Sequence, residues 1–183
     1  MRRLPSLAVL AVLVAAFPAS AEAPAAPGAA APAQAENGQV TANPCSGRLS
    51  GGVEADFTCT VSAVAKDGVI TFEIQPTGPV KGVKAFPPVV VAARSPLSMQ
   101  EYTHRDLAKA RASVTTSKGA SFAASEKLAD RGDLALLVQT LEMNRGETLI
   151  QAGVHAHLVP AKTGAKGEVQ LDLQFETGYR AAP

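Results

Sequence analysis

Val53-Glu54-Ala55-Asp56-Phe57-Thr58-Cys59-Thr60-Val61-Ser62-Ala63 is the stretch on which the fold class turns. Apolar or small residues hold Val53, Ala55, Phe57, Cys59, Val61 and Ala63, and polar residues hold every position between them. Neighbouring side chains of a strand point to opposite faces, so a period of two marks a strand with one face in a core. Lys66-Asp67-Gly68 then reads as a turn. Ile70, Phe72 and Ile74 alternate with Thr71, Glu73 and Gln75 after it, which completes a hairpin.

The same punctuation continues outward. Pro76-Thr77-Gly78-Pro79 ends the hairpin, a weaker strand follows over Val80 to Phe86, and Pro87-Pro88 breaks it. Val89 to Ala92 is a short β-branched run that reads as a strand. Ser95 to Tyr102 reads as a loop, and Thr103-His104-Arg105-Asp106 has the spacing of a helix-starting capping box. Ala108, Ala110, Ala112 and Val114 share one side of a further alternating segment, with a helix over 104–112 as the competing reading. Phe122 opens a short strand, and Leu134 to Met143 reads as a nearly continuous apolar, central strand. Ile150, Ala152, Val154, Ala156 and Leu158 point inward from Leu149 to Val159, and Val169, Leu171, Leu173 and Phe175 close the series. The expectation is an all-β chain, an antiparallel β-sandwich or jelly-roll-like fold of eight to ten strands with at most one short helix. A transmembrane barrel would need aromatic girdles, and eight aromatic residues without a Trp do not supply them.

The chain has 183 residues, 46% of them apolar and 18% charged, with seventeen Lys and Arg against sixteen Asp and Glu. That composition excludes a chain too polar to fold, and a net charge of +1 argues against nucleic-acid binding through bulk positive charge. Arg2 and Arg3 precede an apolar run from Leu7 to Phe17, then Pro18 and the small residues Ala19, Ser20, Ala21 and Ala23. This is the pattern of a secretory signal peptide over residues 1–21, with cleavage after Ala21 or Ala23. The run is too short to span a bilayer as a helix. Residues 22–38 are rich in Ala and Pro and read as a disordered leader, which leaves residues 39–183 as a single folded domain. The expected location is exported, periplasmic or extracellular.

Cys45 and Cys59 are the only cysteines, and in an exported chain such a pair reads first as one disulfide. Ser50-Gly51-Gly52-Val53 between them has the composition of a tight turn. A turn centred near Gly52 would set Cys45 across from Cys59 on paired antiparallel strands. The spacing fits neither a Cys-x-x-Cys redox pair nor a zinc knuckle.

Cys45-Ser46-Gly47, Ser50-Gly51, Phe57-x-Cys59-x-Val61, Gly78-Pro79-Val80-x-Gly82 and Tyr102-Thr103 together form a frame. With the Ala156-His157-Leu158 strand and the Gly167-to-Phe175 strand, this frame resembles small exported proteins of the myxobacterial type. The resemblance covers most of residues 45–176. It implies a Cys-paired β-sandwich and export, and it supplies no catalytic residue.

His155-Ala156-His157 carries the best candidate chemistry. On a strand both imidazoles share a face, the way some metalloproteins place two ligands, and His104 beside Asp106 is a possible third. Zinc or copper would be the metal. A cupin would want a Glu four or five residues after His157, where Ala161 and Lys162 stand, and a copper–zinc dismutase needs more than three histidines. Two surface imidazoles on an amphipathic strand are the simpler explanation. There is no Gly-x-Ser-x-Gly elbow, no phosphate-cradling Gly run and no basic–aromatic array for nucleic acid. Sugar platforms are scarce, since Tyr102 and Tyr179 are the only tyrosines, and Arg131-Gly132-Asp133 reads as a chance tripeptide. The sequence therefore points to a non-catalytic binding or structural module with an unknown protein or cell-envelope partner. That partner would meet loops near 95–106, 125–133 and 160–167 or a sheet edge. The alternative is a periplasmic metal-binding protein using His155, His157 and His104.

Overall fold

The computed structural model describes residues 43–125, 132–162 and 166–180. The expected signal peptide and leader lie outside the described residues, as do 126–131 and 163–165 of the two later loops. Eleven strands follow in chain order: β1 Asn43–Gly51, β2 Ala55–Lys66, β3 Val69–Pro76, β4 Val83–Ala85, β5 Val89–Arg94, β6 Glu101–Tyr102, β7 Leu107–Thr116, β8 Ser121–Ser125, β9 Asp133–Asn144, β10 Glu147–Pro160 and β11 Val169–Arg180. All of them join one antiparallel sheet, and no helix occurs among the described residues. β4 is a three-residue part of the weaker strand expected over Val80 to Phe86, and β6, within the segment expected to be a loop, has two residues and is too brief to show a period.

The sheet curls on itself. The order β11-β1-β2-β3-β5-β7-β8-β10 returns to β11 because β10 pairs along twelve residues with β11. The opposite edge of β10 is shared. Residues 147–157 pair with β9, and only Val159 and Pro160 reach β8. Inward residues from both walls meet in one core, with Leu49, Val61, Phe72, Val91, Ala112, Leu136, Ile150, Leu158, Leu171 and Leu173 almost wholly buried. Phe72 and Phe175 meet there with ring centroids 5.7 Å apart. Sandwich-like packing of this kind hides one face of every strand and leaves the other wet, which is the alternation seen in Val53–Ala63.

Three expectations are corrected. The helix over 104–112 does not form. Thr103 donates its backbone N–H and its hydroxyl to Asp106 Oδ2 at 3.0 and 2.8 Å, and the chain turns directly into β7. The capping-box residues thus close a turn, because the alternation that follows them favours a ladder over a helix. Ala108 is exposed rather than inward. The register between β5 and β7 slips so that Ala92 faces Lys109 while Ala93 faces Leu107, which makes Ala108 the extra residue of a bulge and puts Leu107 in the core. Finally, β9 is not central: its outer edge meets only the two-residue β6, and Leu137 is exposed.

Candidate functional site

The histidines lie on the outer face of β10, as their spacing requires, while Val154, Ala156 and Leu158 fill the core. Each imidazole has its own carboxylate. His155 Nδ1 lies 2.6 Å from Asp172 Oδ1 on β11, and His157 Nε2 lies 2.8 Å from Glu168 Oε2 just before that strand. His104 Nδ1 lies 3.2 Å from Asp133 Oδ1, and Asp133 is the register partner of His157 on β9. The fold therefore does bring the 103–106 turn to the end of the His-x-His strand. It divides the three imidazoles among three carboxylates instead of converging them, and no group of three or more His, Cys, Asp or Glu side chains is placed to hold a metal ion among the described residues. Asp106, beside His104, has its carboxyl held below the usual range, chiefly by the Thr103 hydroxyl and then by the Thr103 N–H.

The sequence did not reveal what lies beside His155. Asp172 is the register partner of His155 on one side and of Arg48 on the other, and Arg48 is opposite Asp56 on β2. His155, Asp172, Arg48 and Asp56 thus form one straight row across four strands. Arg48 Nε is 3.9 Å from Asp56 Oδ1, and its Nη2 is 4.0 Å from Glu54 Oε2. Glu54 also accepts a 2.9 Å hydrogen bond from Gly51 N–H, which ties the β1–β2 turn to the row. The register could not be read in advance, because β1 and β11 are more than a hundred residues apart in the chain.

A broad open groove of about 780 Å³ runs over this row. Its floor carries Ser46, Arg48, Asp56, Thr58, Asp172 and Gln174, and Thr77-Gly78-Pro79 forms a rim. The rim is anchored to β2: Thr77 N–H donates to Thr58 C=O at 3.0 Å, and the two hydroxyls are 2.6 Å apart. Gly47 lets the half-buried Phe57 ring lie at the groove, since a side chain at 47 would collide with that ring and with Leu173. Phe57 in turn meets Phe86 edge-on at 5.2 Å. Tyr102 and Tyr179 are both buried, so neither offers a platform, and Tyr102 Oη accepts from Ser98 N–H at 2.7 Å.

Cys45 and Cys59 are register partners on β1 and β2, with Cα atoms 4.9 Å apart and sulfurs at disulfide distance, and no free cysteine remains. No helix among the described residues is long and apolar enough to cross a membrane. Comparison with family models, curated proteins and solved structures finds no match to this chain.

Proposed function

We propose that the chain is an exported, disulfide-linked binding module that takes a polar ligand into the groove across β11, β1 and β2. One observation carries this reading: the groove is lined by mixed hydrogen-bonding groups, with Arg48 balanced by carboxylates and Phe57 as its apolar element. A concave site with a few placed polar groups is where small ligands are held. The balanced charge favours a ligand that is hydrogen-bonding and close to neutral. Export is supported by the signal-like residues 1–21 and by the paired cysteines, which persist in oxidising compartments. Metal binding through His155, His157 and His104 is the weaker reading, because each imidazole is engaged by a separate carboxylate.

The test is a thermal-shift screen of the mature chain against short peptides, amides and neutral glycans, repeated on Ser46→Trp, which fills the groove floor. The expected result is a compound that raises the melting temperature of the native chain and not of the variant. Ligand at a hundred times its dissociation constant would add about 2.7 kcal/mol. Equal stabilisation of both proteins, or none of either at millimolar concentration, rejects the groove. Amino-terminal sequencing of the exported chain should begin after Ala21 or Ala23.

A further inference from the structure

A second stretch of the outer surface carries positive charge that no nearby carboxylate balances. On the outer faces of β2, β3, β5 and β7 the register sets Lys66 across Val69 from Arg94, then Thr71, Ala92 and Lys109 in the next row, then Glu73, Val90 and Arg111 in the third. Lys66, Arg94, Lys109 and Arg111 are all exposed, and none makes an ion pair or side-chain hydrogen bond to a described residue. Glu73 is the only carboxylate in these three rows. The floor beneath is neutral: Val90 and Ala92 are buried although they point outward.

The cations form a file rather than a field. They step diagonally from the ends of β2 and β5 onto β7, with rows about 7 Å apart along the strands. The hydroxyls of Ser113 and Thr115 extend the file along the outer face of β7, where Thr115 Oγ1 lies 3.0 Å from Ser121 Oγ. A second copy of the chain is a poor occupant, because the carboxylates beside its histidines, Asp172, Glu168 and Asp133, are already engaged by His155, His157 and His104. A lipid surface would reward inserted large apolar or aromatic side chains, and this face offers only Val64 and the partly exposed Val69, with no aromatic residue. A single file of cations with hydroxyls in line fits a chain-like polyanion. Arginine supplies a planar fork that pairs carboxylates two bonds at a time. We propose that the outer face of β2, β3, β5 and β7 docks a linear, carboxylate-bearing polysaccharide along Lys66, Arg94, Lys109 and Arg111, independently of the groove.

The experiment is calorimetric titration of the exported chain with polygalacturonate oligomers at low and at physiological salt, beside neutral dextran and anionic phosphatidylglycerol vesicles. Binding to polygalacturonate is expected, weakening as salt screens the exposed charges. Lys109→Glu/Arg111→Glu should weaken it at least tenfold, Lys66→Gln/Arg94→Gln should weaken it less, and Lys162→Glu/Lys166→Glu should leave it unchanged. Circular dichroism of each variant separates lost binding from lost folding, and the neutralising pair stands if the charge reversal unfolds. Absence of polygalacturonate binding overturns the proposal. So does binding to vesicles alone, equal binding to dextran, or an equal loss in the Lys162/Lys166 variant.

Discussion

His155 on β10 and Asp172 on β11 are register partners whose side chains meet at 2.6 Å, and Asp172 hands the row on to Arg48. Both partners are more than half exposed, so water competes with the contact. Replacing either residue, as His155→Ala or Asp172→Asn, should cost no more than about 1 kcal/mol in urea unfolding. A cost several times larger would mean that the row holds the sheet together rather than furnishing a surface.

Cys45 and Cys59 close a loop of about fifteen residues, and chain-entropy arguments give such a link about 3 kcal/mol. The Cys45→Ser/Cys59→Ser variant should lose that much in denaturant unfolding. Non-reducing mass spectrometry of the native exported chain should find no alkylatable thiol. Two free thiols would remove the disulfide from the account.

Gly47 is the register partner of Phe57 and of Leu173. An added Cβ would lie 2.7 Å from Leu173 Cδ2 and closer still to the Phe57 ring. In an open strand Gly→Ala would gain about 0.5–1 kcal/mol, whereas overpacking costs about 1–3 kcal/mol. Gly47→Ala should therefore destabilise the chain and push the Phe57 ring toward the groove. A gain in stability on equilibrium unfolding would contradict the packing described.

The Asp106 carboxyl is held below its usual range by the Thr103 hydroxyl. A depressed carboxylate contributes stability above its unfolded pKa, and that contribution is lost as pH falls through its folded value. In Thr103→Val the Asp106 carboxyl should titrate closer to its ordinary value, and the 103–106 turn should become less sensitive to acid. Carbon-detected NMR titration of the carboxyl checks both, and an unchanged Asp106 titration would assign the shift elsewhere.

Most strands were legible because burial of one face imprints its period on the sequence. Val53–Ala63, Ile70–Ile74 and Ile150–Leu158 each show which side is wet, and the structure keeps those sides. The Cys45–Cys59 pairing was legible too, since a turn of a few residues fixes the register of its own hairpin. Legibility failed where partners outside the hairpin decide. The Ala108 bulge arises from the register of β5 against β7. In β9 the apolar run hides an ordinary alternation, with Leu134, Leu136 and Val138 in the core and Leu137 exposed beside the two-residue β6.

The site divides along the same line. Alternation alone put His155 and His157 on one outer face, because a strand permits no other arrangement of residues two apart. The sequence could not show that each would meet its own carboxylate, or that Asp172, Arg48 and Asp56 would extend the row into a groove. Nor could it gather Lys66, Arg94, Lys109 and Arg111 on one stretch of outer face in a chain whose total charge nearly cancels. Local side-chain direction is set by backbone geometry, which sequence period reports. Which strands lie side by side, and at what register, is set by closure of the whole sheet around a shared core, and only the tertiary structure decides that.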